Sequence, residues 1–179
     1  MKKIIIICIL AAFCFTLAAC GNKSDIEVPM GMQLASNESV PDYIMMVPSD
    51  WTVEESTGTT TAYYKDNLSG AVVATLSATF VAPPSADTTL DNYFDSYSEE
   101  FGKVFGETEP EISTTTLGGE EARRYIYSAT FNNIEYSFWQ EICMHEGRIY
   151  TVTYSTPSEY FEKFAEDMEV TLEYFSFTE

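Results

Sequence analysis

The most reactive side chains in this 179-residue sequence are four cysteines and one histidine, and their spacing limits what they can do. Cys20 follows Leu17, Ala18 and Ala19 and precedes Gly21. Its thiolate is a nucleophile, and the residues just before it are small. Cys143 and His145 lie two positions apart in a strand-like run, which sets both side chains on one face of a strand. A Cys–His catalytic pair needs a hydrogen bond between nucleophile and base and a third group to orient the base. His145 instead stands directly before Glu146-Gly147 at an expected hairpin tip, where a polar turn residue is the simpler reading. Cys143 reads as a small buried apolar side chain. No Gly-x-Ser-x-Gly elbow is present, and Ser69-Gly70 belongs to an ordinary turn. The sequence therefore names no catalytic residue.

The segment that leads to Cys20 gives that thiol its meaning. Lys2 and Lys3 form a positive start, and residues 4–15 follow without a charge. A run this short cannot cross a hydrocarbon core of roughly 30 Å, which takes about 20 helical residues. A positive start, a short apolar centre and small residues after it describe a secretion signal over residues 1–19. The closing Leu17-Ala18-Ala19-Cys20 resembles the lipobox of bacterial lipoproteins, which implies lipid attachment at Cys20. Two acyl chains, each gaining about 0.8 kcal/mol per buried methylene, suffice for stable anchoring. The resemblance implies an extracytoplasmic domain held at the cell membrane. Gly21 is not the aspartate that retains lipoproteins at inner membranes.

Metal and cofactor chemistry finds little to work with. Beyond Cys20 only Cys143 and His145 remain as thiol or imidazole, whereas a structural zinc takes four such ligands. The acids of residues 91–95 fall in a helical pattern and lack the central glycine of a calcium loop. Gly102 and Gly106 fit a helix terminus and Gly118-Gly119 a strand turn, so no phosphate cradle appears. No metal and no cofactor is expected. The adjacent acids Glu120-Glu121 and Glu99-Glu100 offer the one enzymatic alternative, acid–base hydrolysis of a cell-envelope polymer. That reading needs two carboxylates about 5–9.5 Å apart in a deep cleft. With 28 acids in the chain, adjacent pairs are expected by chance.

Loss of Lys2 and Lys3 with the leader would take the formal charge from −19 to −21. Nucleic acid is thereby excluded as a partner, because lysine and arginine supply affinity for phosphate backbones. Anionic headgroups repel the domain too, so the tether at Cys20 has to hold it at the membrane. The acids are scattered along the chain, which suits a solvated surface. With Cys143 alone left free, no intramolecular disulfide is available and stability must come from a core. Twelve Tyr and twelve Phe supply one.

From Cys20 onward about 160 residues remain, one domain's length. Residues 20–29 read as a lipidated tether and 30–179 as a single globular domain. Strands are expected over 31–35, 43–47, 51–54, 60–65 and 71–81, with Pro48-Ser49-Asp50 and residues 66–70 as turns. The period then changes. Leu90, Tyr93, Phe94, Tyr97, Phe101, Val104 and Phe105 recur at helical spacing, with Thr88 and Asp91 as a weak capping box and Gly106 as the stop. An antiparallel meander follows over 112–117, 122–131, 134–144 and 148–154, and Asn132-Asn133 makes a tight turn within it. Thr156, Pro157 and Glu159 then look like the start of a second helix whose apolar face is Phe161, Phe164, Ala165, Met168 and Leu172. A strand over 174–177 closes the chain. The fold class is α+β, an antiparallel sheet with two amphipathic helices packed on it.

Several ordered features carry a wider resemblance. Residues 47–51 (Val-Pro-Ser-Asp-Trp) follow a strand, and Leu117-Gly118-Gly119 leads through Ala122 to Arg124-Tyr125. Residues 147–154 and Phe175-Ser176-Phe177 complete the series. Their order, over about residues 30–178, resembles the PsbP/Mog1-like family, an α/β/α sandwich found in photosystem extrinsic proteins, a nuclear-transport factor and many bacterial lipoproteins. A cystatin- or NTF2-like cone of sheet and helix is the alternative architecture. The family resemblance implies an adaptor or assembly fold without a common catalytic centre, and it transfers no functional residue. The expected function is a non-enzymatic binding or assembly module that recruits an envelope protein or polymer. The alternatives are the carboxylate hydrolase and a small-molecule carrier with a closed aromatic pocket.

Overall fold

The computed structural model describes residues 26–36, 42–56, 59–105 and 109–178. The chain runs β1 (Met32–Leu34), β2 (Tyr43–Ile44), β3 (Met46–Pro48), β4 (Thr52–Ser56), β5 (Thr59–Lys65), β6 (Val72–Val81) and α1 (Leu90–Phe105). It continues β7 (Glu111–Leu117), β8 (Glu120–Phe131), β9 (Ile134–His145), β10 (Arg148–Pro157), α2 (Phe161–Glu173) and β11 (Ser176–Phe177). Seven strands form one antiparallel sheet in the order β4-β5-β6-β10-β9-β8-β7. Two small ladders flank it, β1 with β3 and β2 with β11.

The meander forms because its connections are short and its turn residues accept left-handed backbone. Asn132 (φ 51°) and Asn133 (φ 65°) make the β8–β9 turn as the sequence implies, with the right twist for the flanking strands. Residue alternation then sorts the sheet into two faces. On β9, Trp139, Glu141 and Cys143 face α2, and Gln140 and Ile142 face α1. The α2 side buries Trp51, Leu76, Val152, Tyr154, Phe164 and Met168 in the main core. On the other side Phe94 and Phe101 of α1 pack on Tyr125 (5.7 Å between ring centroids) and Tyr127 (4.5 Å) of β8. The expected α/β/α sandwich results.

α1 lies over β8 and β9, and a hydroxyl-rich strip of sheet continues beside it. In register across β5, β6 and β10 come Thr59–Thr79–Thr151 and Thr61–Ser77–Thr153, all half-buried.

Local details depart from the sequence expectation where tertiary pairing intervenes. The single strand expected over 43–47 is split: β2 pairs with β11, β3 pairs with β1, and Met45 lies between them. The capping box of α1 sits one residue later than Thr88 and Asp91. The Thr89 N–H donates to Asn92 Oδ1 (2.9 Å), and the Asn92 N–H donates back to Thr89 Oγ1 (3.3 Å). Asp91 instead meets Arg123 at 3.1 Å. Thr156 does not cap the second helix either. β10 runs on through Pro157, held by β6 and β9 on its two sides, and the Thr156 hydroxyl donates to the Val73 carbonyl at 2.7 Å. A 3₁₀ turn over Ser158–Tyr160 then leads into α2. Gly106 lies outside the described residues.

Candidate functional site

Cys20, the residue expected to carry lipid, lies outside the described residues together with the leader. The other chemistry-bearing positions are placed.

Cys143 is fully buried on β9, and burial pushes its thiol up to about 12. A thiol held that far from ionisation is a core group and a poor nucleophile. The buried apolar role expected for it holds. His145 is not the polar turn residue the sequence suggests. It is the last residue of β9, its side chain is 19% exposed, and its Nδ1 lies 2.8 Å from Glu120 Oε1. Its ring is stacked on Phe177 with centroids 3.9 Å apart. The imidazole is thus committed to Glu120 and Phe177. Glu121 pairs with Arg123 at 2.6 Å, and Glu99 with Lys103 at 2.9 Å; the three other side chains are exposed and Arg123 is half-buried. Among the described residues no cluster of three His, Cys, Asp or Glu side chains is placed to hold a metal.

The structure brings together a group that the sequence reading did not single out. Glu141 stands directly opposite Arg124 in the β8–β9 register, two residues after Trp139 on the same strand. It is 1% exposed, the only acid in the buried set among the described residues. Three donors converge on one of its oxygens. Arg124 Nε (2.8 Å), Arg124 Nη2 (2.7 Å) and Trp139 Nε1 (3.2 Å) all reach Oε1. The guanidinium also rests over the Trp139 ring, 4.4 Å from its centroid, which fixes its plane. Oε2 is buried and has no hydrogen-bond partner among the described residues. Burial pushes the Glu141 carboxyl above the usual range against the opposing pull of Arg124. A buried carboxylate oxygen without a partner is costly, so this is a strained arrangement prepared to accept a donor.

Glu141 and Arg124 line a cleft of about 380 Å³ between the β7–β8 turn and the C-terminal end of α2. Thr115, Thr116 and Gly118 border it on one side, and Glu169, Leu172 and Glu173 on the other. The sheet supplies the rigid wall, and α2, held by Trp51 Nε1 donating to Asp167 (2.9 Å), supplies the other. Alternation along 139–143 did carry a signal for Glu141: a charged residue flanked at i ± 2 by Trp139 and Cys143 faces the core, and a core acid needs a partner. A second hollow, about 690 Å³, lies between the 84–88 loop and α1, lined by Tyr93, Tyr97 and Asn92. Both are open to solvent.

No family model matches the sequence, and no curated protein matches it. Solved structures do match in fold. LpqN, involved in cell envelope biogenesis of Mycobacterium tuberculosis, superposes with a TM-score of 0.59 at 17% identity, over 83% of this chain and 92% of that one. The cyanobacterial PsbP of Synechocystis gives 0.58 at 17% identity over 90% and 99%. The Ran-binding protein Mog1p of Saccharomyces cerevisiae gives 0.56 at 8% identity over 82% and 95%. The sheet order, the two helices and these likenesses together give the chain the PsbP/Mog1-like fold.

Proposed function

We propose that this chain is a lipid-anchored extracytoplasmic module that binds a component of the cell envelope without turning it over. The leader and Leu17-Ala18-Ala19-Cys20 support the anchor, and LpqN's involvement in envelope biogenesis supports the setting. The observation that carries the binding role is the Arg124–Glu141–Trp139 group beside an open cleft. It is a preorganised hydrogen-bonded group in the wall of that cleft, fixed by a cross-strand pair and an aromatic face, on rigid elements.

The hydrolase alternative asks Glu141 to act as a proton donor. Its Oε1 already accepts two hydrogen bonds and carries the ion-pair contact to Arg124 Nη2, which holds the carboxyl as an acceptor and is a poor posture for proton transfer to a substrate. The carrier alternative asks for a closed aromatic pocket, and the two hollows described above are both open.

Two measurements test the proposal. Mass spectrometry of the protein from its native host should find a diacylglyceryl-modified cysteine at position 20 as the N-terminus. In-cell crosslinking followed by capture should return a reproducible envelope protein or polymer. An unacylated or unprocessed N-terminus removes the anchor, and the absence of any reproducible envelope component removes the binding role.

A further inference from the structure

The cleft beside Glu141 has a definite electrostatic character. Its charged lining is Arg124 on one hand and Glu141, Glu169 and Glu173 on the other. Arg124 is already matched by Glu141 through two N–H donors, which leaves the Glu169 and Glu173 carboxylates in excess at the cleft. An anionic ligand would therefore meet a net negative wall, and a cation is drawn in. The independent observation is Oε2 of Glu141, an acceptor in a residue 1% exposed, without a partner while three donors crowd Oε1. A ligand suited to both must bring positive charge and an N–H. Oε2 of Glu141 is closed to a water-sized probe in this structure, so a ligand reaches it only as a slender head at the end of a flexible chain and with a small shift of the side chains that cover it, and a branched or quaternary cation stops at the rim.

We propose that this cleft binds a primary ammonium group, which donates to Oε2 of Glu141 while Glu169 and Glu173 balance its charge. The inference rests on the binding-module reading and gives it a ligand chemistry. Such a group occurs on a free amine or amine-bearing headgroup and on a lysine side chain. The Thr115 and Thr116 side of the cleft offers neutral polar contacts for the atoms next to the nitrogen.

The test uses 15N-labelled full-length protein in neutral detergent micelles, read through its two indole N–H signals. Trp139 donates to Glu141, whereas Trp51 donates to Asp167 and serves as the internal control. Ethanolammonium, Nα-acetyl-lysine amide and tetramethylammonium are titrated at constant ionic strength. The expected result is a saturable shift of the Trp139 signal with at least one primary amine, a still Trp51 signal, and no response to tetramethylammonium. Saturation by ethanolammonium alone points to a free or headgroup amine, and saturation by the lysine amide to a protein side chain. Glu141→Gln should raise Kd about tenfold or more. Should that variant fail to fold, the double change Glu169→Gln with Glu173→Gln, at exposed positions, should raise Kd several-fold with the Trp51 signal in place. No saturable shift with either primary amine, equal binding of tetramethylammonium, or an unchanged Kd in the folded variants overturns the proposal. Envelope capture that persists when the amine titration fails sinks this inference alone; amine binding without envelope capture sinks the module reading instead.

Discussion

The imidazole of His145 lies flat on the ring of Phe177, with planes 9° from parallel, and so ties the end of β9 to the last strand of the chain. Phe177 also meets Tyr150 at 4.9 Å and Phe175 at 5.4 Å, and β11 has just two residues of its own to hold it. Phe177→Ala should therefore lower stability by about 2 kcal/mol. A urea titration followed by tryptophan fluorescence measures this, and a change below about 0.5 kcal/mol would show that β11 is decoration.

Gly118 faces the same ring. A Cβ placed there would sit 2.8 Å from Phe177, at a φ of +59° that disfavours any side chain. Its neighbour Gly119 has φ +89° but open space around it. Gly118→Ala should cost about 2 kcal/mol or more and Gly119→Ala roughly 1 kcal/mol. The ordering is the test: equal losses would mean that backbone strain alone matters at this turn.

The buried thiol makes a prediction about alkaline pH. The folded Cys143 sits at about 12, raised above the ordinary 9.0 by burial. Between those values the unfolded chain loses a proton that the folded chain keeps, so stability is intact below pH 9 and falls as pH rises toward 12. Each such group contributes on the order of 1 kcal/mol per pH unit in that window. Tyr97, pushed up to about 12 chiefly by burial, adds to the same trend above its ordinary 10.0. Denaturation midpoints measured from pH 8 to 11 should decline, and Cys143→Ala should flatten the curve. A disulfide-exchange reagent at pH 8 should label Cys143 only on unfolding; rapid labelling of the folded protein would contradict the burial.

Asp167 gives the matching experiment in acid. Burial raises its carboxyl above the ordinary 3.8 despite the hydrogen bond from Trp51. With the folded value raised, the neutral form is favoured on folding, and stability falls as pH rises through the window starting near 3.8. Asp167→Asn keeps an acceptor for the Trp51 N–H and removes the titration. It should raise stability at pH 7 and flatten its change between pH 4 and 6; a steeper profile would reverse the assignment.

Legibility of this fold followed the reach of the forces that set each part. α1 spans the interval its aromatic period marks, because Phe94 and Phe101 must face one side of a helix whatever they pack on. The Asn132-Asn133 turn was equally local. A threonine before a proline looks like a helix start in isolation, while in the fold pairing with β9 keeps the backbone extended through Pro157. His145 misled for a related reason: Phe177, which covers it, arrives 32 positions later in the chain. Glu141 was visible only as an inward-facing acid, since its pairing with Arg124 depends on the exact register of β8 against β9. Sequence periodicity states which way a residue points, and long-range register decides what it meets.

The strand order has a consequence for when such a chain can fold during its synthesis. β6 ends at Val81, and its neighbour on the open side, β10, begins at Arg148. Until that late stretch has been synthesised, the β4–β6 hairpin pair has no second flank, and the main core lacks Tyr150, Val152 and Tyr154 from the sheet centre as well as Phe164 and Met168 from α2. Closing so long a loop is entropically slow, so native structure cannot lock early. A nascent polypeptide with this wiring stays open along most of its length and closes when the stretch from Arg148 onward has been made.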